Sequence, residues 1–128
     1  MADVNPTGIR LGTVVLDTPD PHGLATFYAG LLGWELDPSD TSDDWVTIRG
    51  AGGAPMAFQL APDHVPPTWP AGEVPQQFHL DLLVADYDST EPRALQLGAT
   101  PVQDEADHPG FRVYTDPSGH PFCLCLDD

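Results

Sequence analysis

Two spacings of apolar residues alternate along this chain, and together they predict its elements. Thr13–Leu16 is a short apolar run with β-branched side chains, the pattern of a buried strand. A breaker cluster from Asp17 to Pro21 follows and can start a helix. Between His22 and Leu32, the residues Leu24, Phe27, Tyr28, Leu31 and Leu32 recur at steps of three and four, which places them on one helical face. Gly33 stands where that helix would stop. Short strands are predicted at Trp34–Leu36, Trp45–Ile48 and Met56–Leu60, with a turn at Gly50–Gly53.

Residues 61–77 break the pattern. They carry prolines at 62, 66, 67, 70 and 75, and proline supplies no donor to a strand ladder, so this stretch is expected to be an extended connection. Loops this long are usually functional or serve as linkers.

The pattern then restarts. Phe78–Val84 predicts a strand, Thr90–Leu97 a helix with Pro92 in its first turn, and Gly98 its end. Strands at Thr100–Val102, Phe111–Tyr114 and Phe122–Leu126 follow, the last two joined by a β-turn at Asp116–Gly119. Thr13 matches His79 and Asp20 matches Asp86 at an offset of 66, Leu32-Gly33 matches Leu97-Gly98 at 65, and Gln59 matches Cys123 at 64. Landmarks in near-constant register indicate an internal repeat. The expected architecture is α+β, with one βαβββ module at residues 8–60 and a second at 78–126, joined by 61–77. Neither module has enough core to stand alone, so residues 1–128 are expected to pack as one domain.

Charge narrows the partners. The chain has 20 acidic side chains against 4 basic ones, all arginine, for a formal net charge of −16. Phosphate binding needs clustered cations, so nucleic acid and anionic membrane surfaces are excluded as expected partners. The mean field favours cationic ligands, although surface acidity also serves solubility alone. No stretch approaches the roughly 20 apolar residues of a membrane span. The first residues lack the basic start and apolar core of a signal peptide. Cys123 and Cys125 lie two apart on one predicted strand, a spacing unsuited to a disulfide, so both are expected to be reduced thiols in the cytoplasm.

Several segments together resemble the vicinal oxygen chelate superfamily of glyoxalases, bleomycin-resistance proteins and extradiol dioxygenases. They are Thr13–Asp20, Phe27-Tyr28 and Leu31–Trp34 in the first module, and His79–Asp86, Leu97–Ala99 and Asp116–Phe122 in the second. The last of these is most similar to the glyoxalase-like branch. The resemblance implies a U-shaped mixed sheet around a central cleft and, commonly, a homodimer. In many members it also implies a metal held by His, Gln or Glu from the first and last strands of each module. Here those positions carry Thr13, Gln59, His79 and Cys123. Two of them lack the carboxylates that a hard cation prefers. No family-type metal or other cofactor is therefore expected. If a divalent metal is present, Gln59, His79 and Cys123 are its ligands. Asp81 shares the face of His79 and is expected to hydrogen-bond across the sheet.

The expected function is binding of a small organic molecule, of apolar or cationic character, in the sheet cleft. Thr13, Trp45, Gln59, Trp69, His79, Asp81, Phe111 and Cys123 are the candidate ligand contacts. Phe58 is excluded by strand parity, since it points away from the face that Gln59 occupies. The alternative is a divergent enzyme of lyase, isomerase or hydrolase type. His79 would be its acid or base, because imidazole titrates near neutrality. A third alternative is a structural or regulatory protein without a ligand. Cys123 as a nucleophile would need activation by His79.

Overall fold

Asp20 and Asp86 hold equivalent places at the starts of two helices. The Asp20 carboxylate accepts the Gly23 N–H at 3.1 Å, and that of Asp86 accepts the Ser89 N–H at 2.8 Å. Each cap satisfies a backbone donor that a helix start leaves without a partner. At the other ends, Gly33 and Gly98 adopt φ values of +71° and +124°, a region costly for any side chain. The repeat read from the sequence is thus a repeat of start and stop signals.

A computed structural model describes residues 6–51, 53–68, 72–103 and 110–126. The first module runs β1 (Val14–Thr18), α1 (Pro21–Leu32), β2 (Glu35–Thr41), β3 (Trp45–Arg49) and β4 (Met56–Leu60). The second runs β5 (Leu80–Val84), α2 (Tyr87–Leu97), β6 (Thr100–Gln103), β7 (Phe111–Thr115) and β8 (Pro121–Leu126). Each module forms a four-stranded mixed sheet, in the orders β1-β4-β3-β2 and β5-β8-β7-β6. The outer strand β1 is parallel to β4 as β5 is to β8, with Leu16 opposite Phe58 and Leu82 opposite Leu124.

Three elements differ from expectation, the first being β5, which begins at Leu80 rather than Phe78 and leaves His79 just ahead of it. β2 extends to Thr41, well past Leu36, through the polar run Asp37–Asp40. It is an outer strand whose register slips between Leu36 and Thr41, so a proline at 38 is tolerated there. Helix α2 begins at Tyr87 rather than Thr90, because Asp86 caps it. Pro92 therefore lies in the helix interior, not in the first turn, and cannot make the N–H bond back to the Asp88 carbonyl.

Alternation within the strands sorts side chains into two faces. Val46, Ile48, Met56 and Phe58 of the first sheet and Tyr114, Phe122 and Leu124 of the second are buried in one shared core with α1 and α2. Helix α1 joins the halves. The Tyr28 ring stacks on Phe58 at 5.7 Å between centroids and meets Phe122 edge-on at 6.2 Å. Phe27 meets Phe122 at 5.9 Å. Burying each such ring stabilises the fold by roughly 1.5–3 kcal/mol. No helix among the described residues is long and apolar enough to cross a membrane.

Candidate functional site

A cavity of about 420 Å³ opens where the first sheet meets the second. One wall is β1 with the residues before it, namely Leu11, Thr13, Val14, Val15 and Leu16. The other wall is Phe78 and His79 just before β5 with Leu80 at its start, and His120 just before β8 with Pro121 at its start. Tyr28 of α1 completes the lining. The surface is largely apolar, with Thr13 and the two imidazoles as polar points, and the volume falls within the roughly 300–1,000 Å³ of small-molecule pockets.

A second cavity of about 260 Å³ adjoins it and shares Val15, Leu16, Phe78 and His120. Asp17, His64 and the proline-rich connection through Val65, Pro67, Pro75 and Gln77 form the rest. That connection is fastened to the turn before β8. His64 Nε2–H donates to the Ser118 carbonyl at 3.2 Å, and its ring lies 4.7 Å from that of His120. His120 in turn donates to the Asp17 carbonyl at 2.6 Å, which ties β8 to β1.

The floor is hydrogen-bonded across the two modules. The Tyr28 hydroxyl donates to the buried Asp116 carboxylate at 2.7 Å. Asp116 also accepts the N–H groups of Ser118 and His120 at 2.9 and 3.0 Å. Burial raises the Asp116 carboxyl above its usual range, and these hydrogen bonds partly oppose the rise. Burial, then Asp116, push the Tyr28 hydroxyl well above its ordinary value, so it stays a neutral donor.

The residues singled out from the sequence fall into separate groups. Thr13 and His79 line the cavity. His79, Asp81 and Cys123 gather on the face of the second sheet that points away from the core, with donor atoms all within 4.8 Å of one another. His79 Nε2 lies 3.2 Å from Asp81 Oδ1, and Asp81 stands opposite Cys123 in register. Gln59 and Trp45 face one another in register on the first sheet and line neither cavity. The Trp45 indole N–H instead donates to Thr47 Oγ1 at 2.8 Å. Phe111 stands opposite Cys125 and also lines neither cavity. Trp69 lies outside the described residues. Phe58 is fully buried against Tyr28, as parity requires.

Sequence reasoning missed Tyr28, Phe78 and His120 as lining residues. Tyr28 reads as core by its helical spacing, and it is core, but its other side forms the cavity floor. Phe78 directly precedes His79, and its 84 % exposure marks it as a side chain with no core to fill. Cys123 and Cys125 are free thiols, as their spacing indicates. Burial, then the Asp81 carboxylate, push the Cys123 thiol up to about 12, the opposite of what a nucleophile needs.

Residues 13–125 match the glyoxalase-like domain family. The chain belongs to that family. Solved structures with the same fold include a glyoxalase/bleomycin resistance protein/dioxygenase family enzyme from Burkholderia phytofirmans. Its TM-score is 0.71 at 18 % identity, covering 90 % of this chain and 96 % of that one. A glyoxalase-related enzyme from Fulvimarina pelagi aligns with a TM-score of 0.66 at 18 % identity over 92 % and 88 % of the two chains. A bleomycin-binding protein from Streptomyces verticillus, complexed with copper(II)-bleomycin, aligns with 0.59 at 17 % identity over 94 % and 98 %. No curated protein sequence matches the chain.

Glyoxalase-like proteins often hold a metal between their modules, and the residues here do not fit that arrangement. Thr13 offers a neutral hydroxyl and Gln59 a neutral amide, and Gln59 stands between Asp17 and Trp45 in the register of the first sheet. Without a carboxylate at either last-strand position, a hard divalent ion lacks the anionic ligands that offset its dehydration.

Proposed function

We propose that this glyoxalase-like protein binds a small organic molecule in the cavity between its sheets, without a family-type metal. The observation that carries the reading is the 420 Å³ apolar cavity with Thr13, His79 and His120 as its polar points. Such a lining takes a compact apolar body with one or two polar groups. Cationic character is supported by the formal charge of −16 and by Asp17 in the adjoining cavity wall. The reading treats the chain as one unit, since the cavity needs side chains from both halves. Its free thiols suit the reducing cytoplasm. A homodimer belongs to it too, covering the exposed Leu11 and Phe78, and light scattering on the purified chain checks this.

Thermal-shift measurements with small aromatic amines and their neutral isosteres test the binding. The amines should stabilise the protein more, and added salt should narrow the difference. Phe78→Ala and His79→Ala should each weaken binding by about tenfold. Stabilisation by no compound, or equal stabilisation of both variants, sinks the reading.

A second reading is favoured by the 3.2 Å contact between His79 and Asp81, which orients the imidazole as an acid or base. Turnover of a bound compound by a lyase, isomerase or hydrolase reaction, lost in His79→Ala, would establish it. Bound compounds recovered unchanged would dismiss it.

A further inference from the structure

The second cavity is rich in hydrogen-bond acceptors, and two histidines with fixed tautomers are the main reason. His64 Nε2 meets the Ser118 carbonyl at 3.2 Å, and His120 Nε2 meets the Asp17 carbonyl at 2.6 Å. A carbonyl oxygen only accepts, so in each neutral ring the proton sits on Nε2 and is already engaged. Nδ1 of each ring is left as an acceptor, with no partner among the described residues. The two rings lie 4.7 Å apart, with His64 in the wall of the second cavity and His120 in the walls of both. Asp17 adds a third acceptor to the second cavity, two residues along β1 from Val15, which lines both. Pro67 and Pro75, also in that wall, have no N–H to offer. Among the described residues no arginine lines either cavity, and the chain has no lysine.

We propose that the second cavity is a subsite for an N–H-bearing cation, a primary ammonium or amidinium, carried on an apolar body that fills the first. The subsite rests on the small-molecule reading and adds to it which group of the ligand lies where. Three acceptors, one of them anionic, match a group with two or three N–H donors and a positive charge. A carboxylate or phosphate would meet only lone pairs and a like charge there. A quaternary ammonium has the charge but no N–H. The mean field of a chain with net charge −16 attracts it equally, while the acceptors of His64 and His120 stay unmatched. Discrimination between the two kinds of cation is therefore a property of the subsite, and net charge alone does not produce it.

The test is calorimetric titration of the full chain with four compounds that share one body, at constant salt and slightly alkaline pH. They are phenylbutylamine, its N,N,N-trimethyl analogue, the neutral phenylbutyl methyl ether and phenylbutyrate. The amine should bind about tenfold more tightly than the trimethyl analogue, and phenylbutyrate should bind most weakly. His64→Phe keeps a ring beside His120 and removes one acceptor, so the preference for the amine should fall below about threefold. Asp17→Asn keeps the carbonyl that holds His120 and should weaken both cations by about fivefold more than the ether. Asp17 is exposed, so that variant serves even if His64→Phe does not fold. Equal binding of the two cations, a preference that survives His64→Phe, or an equal loss for ether and cations in Asp17→Asn overturns the subsite. In each of those cases binding of the ether still supports the small-molecule reading, whereas binding of none of the four compounds removes both.

Discussion

Tyr28 of the first module donates its hydroxyl to the buried carboxylate of Asp116 in the second, at 2.7 Å. The same tyrosine floors the cavity, so the contact joins the halves and sets the depth of the site. Tyr28→Phe removes one donor from a buried carboxylate and should destabilise the fold by about 1–3 kcal/mol. A lower urea midpoint with unchanged slope is the expected result, and an unchanged midpoint contradicts the assignment.

Asp116 also makes a pH prediction. Burial places its folded-state pKa above the ordinary value of 3.8, so the folded chain holds this proton more tightly than the unfolded chain does. Its contribution is therefore fully present below that ordinary value and is lost as pH rises through the raised one. Asp116→Asn cannot titrate. The stability difference, wild type minus variant, should fall as pH rises through that window and stay flat above it. A difference that rises with pH would reverse the sign of the shift.

The helix stop at Gly33 is testable against an internal control. At φ +71° a side chain is strained, so Gly33→Ala should cost about 1–2 kcal/mol. At Gly12 an added Cβ meets nothing within 4 Å and the backbone is not left-handed, so Gly12→Ala should stay within about 0.5 kcal/mol. Thermal unfolding of the two variants side by side reads both.

Thiol chemistry reports on the surroundings of Cys123. With its pKa at about 12, very little thiolate exists near neutrality, and metal-free folded protein should alkylate with iodoacetamide far more slowly than unfolded protein. Burial is the larger cause and Asp81 the next, so Asp81→Asn should speed alkylation only modestly. Alkylation as fast as in the unfolded chain would show the thiol to be unburied.

Much of the fold is legible in local signals. The pairs Asp20/Asp86 and Gly33/Gly98 bracket both helices, and strand parity correctly sends Phe58 inward and Gln59 outward. The misses occurred where the outcome is not local. The polar run of β2 is held by pairing with β3, and α2 gains its first turn from a cap rather than from apolar periodicity. Site residues were harder to read. Thr13 and His79 follow from the repeat, but His120 and Tyr28 reach the cavity through contacts between modules, with partners 103 and 88 residues away.

By itself, the sequence determined the two-module βαβββ plan, the faces of its strands and a strongly acidic charge balance. Those properties depend on side-chain period, caps and charge count, which are local or additive. The tertiary structure decided which candidates share a space. It set His79 in a cavity wall with Thr13, placed Asp81 beside Cys123, and left Gln59 and Trp45 on another sheet. That outcome depends on strand register and on how two sheets meet around Tyr28. Neither is encoded in any single stretch of chain, because both arise from packing between residues far apart in it.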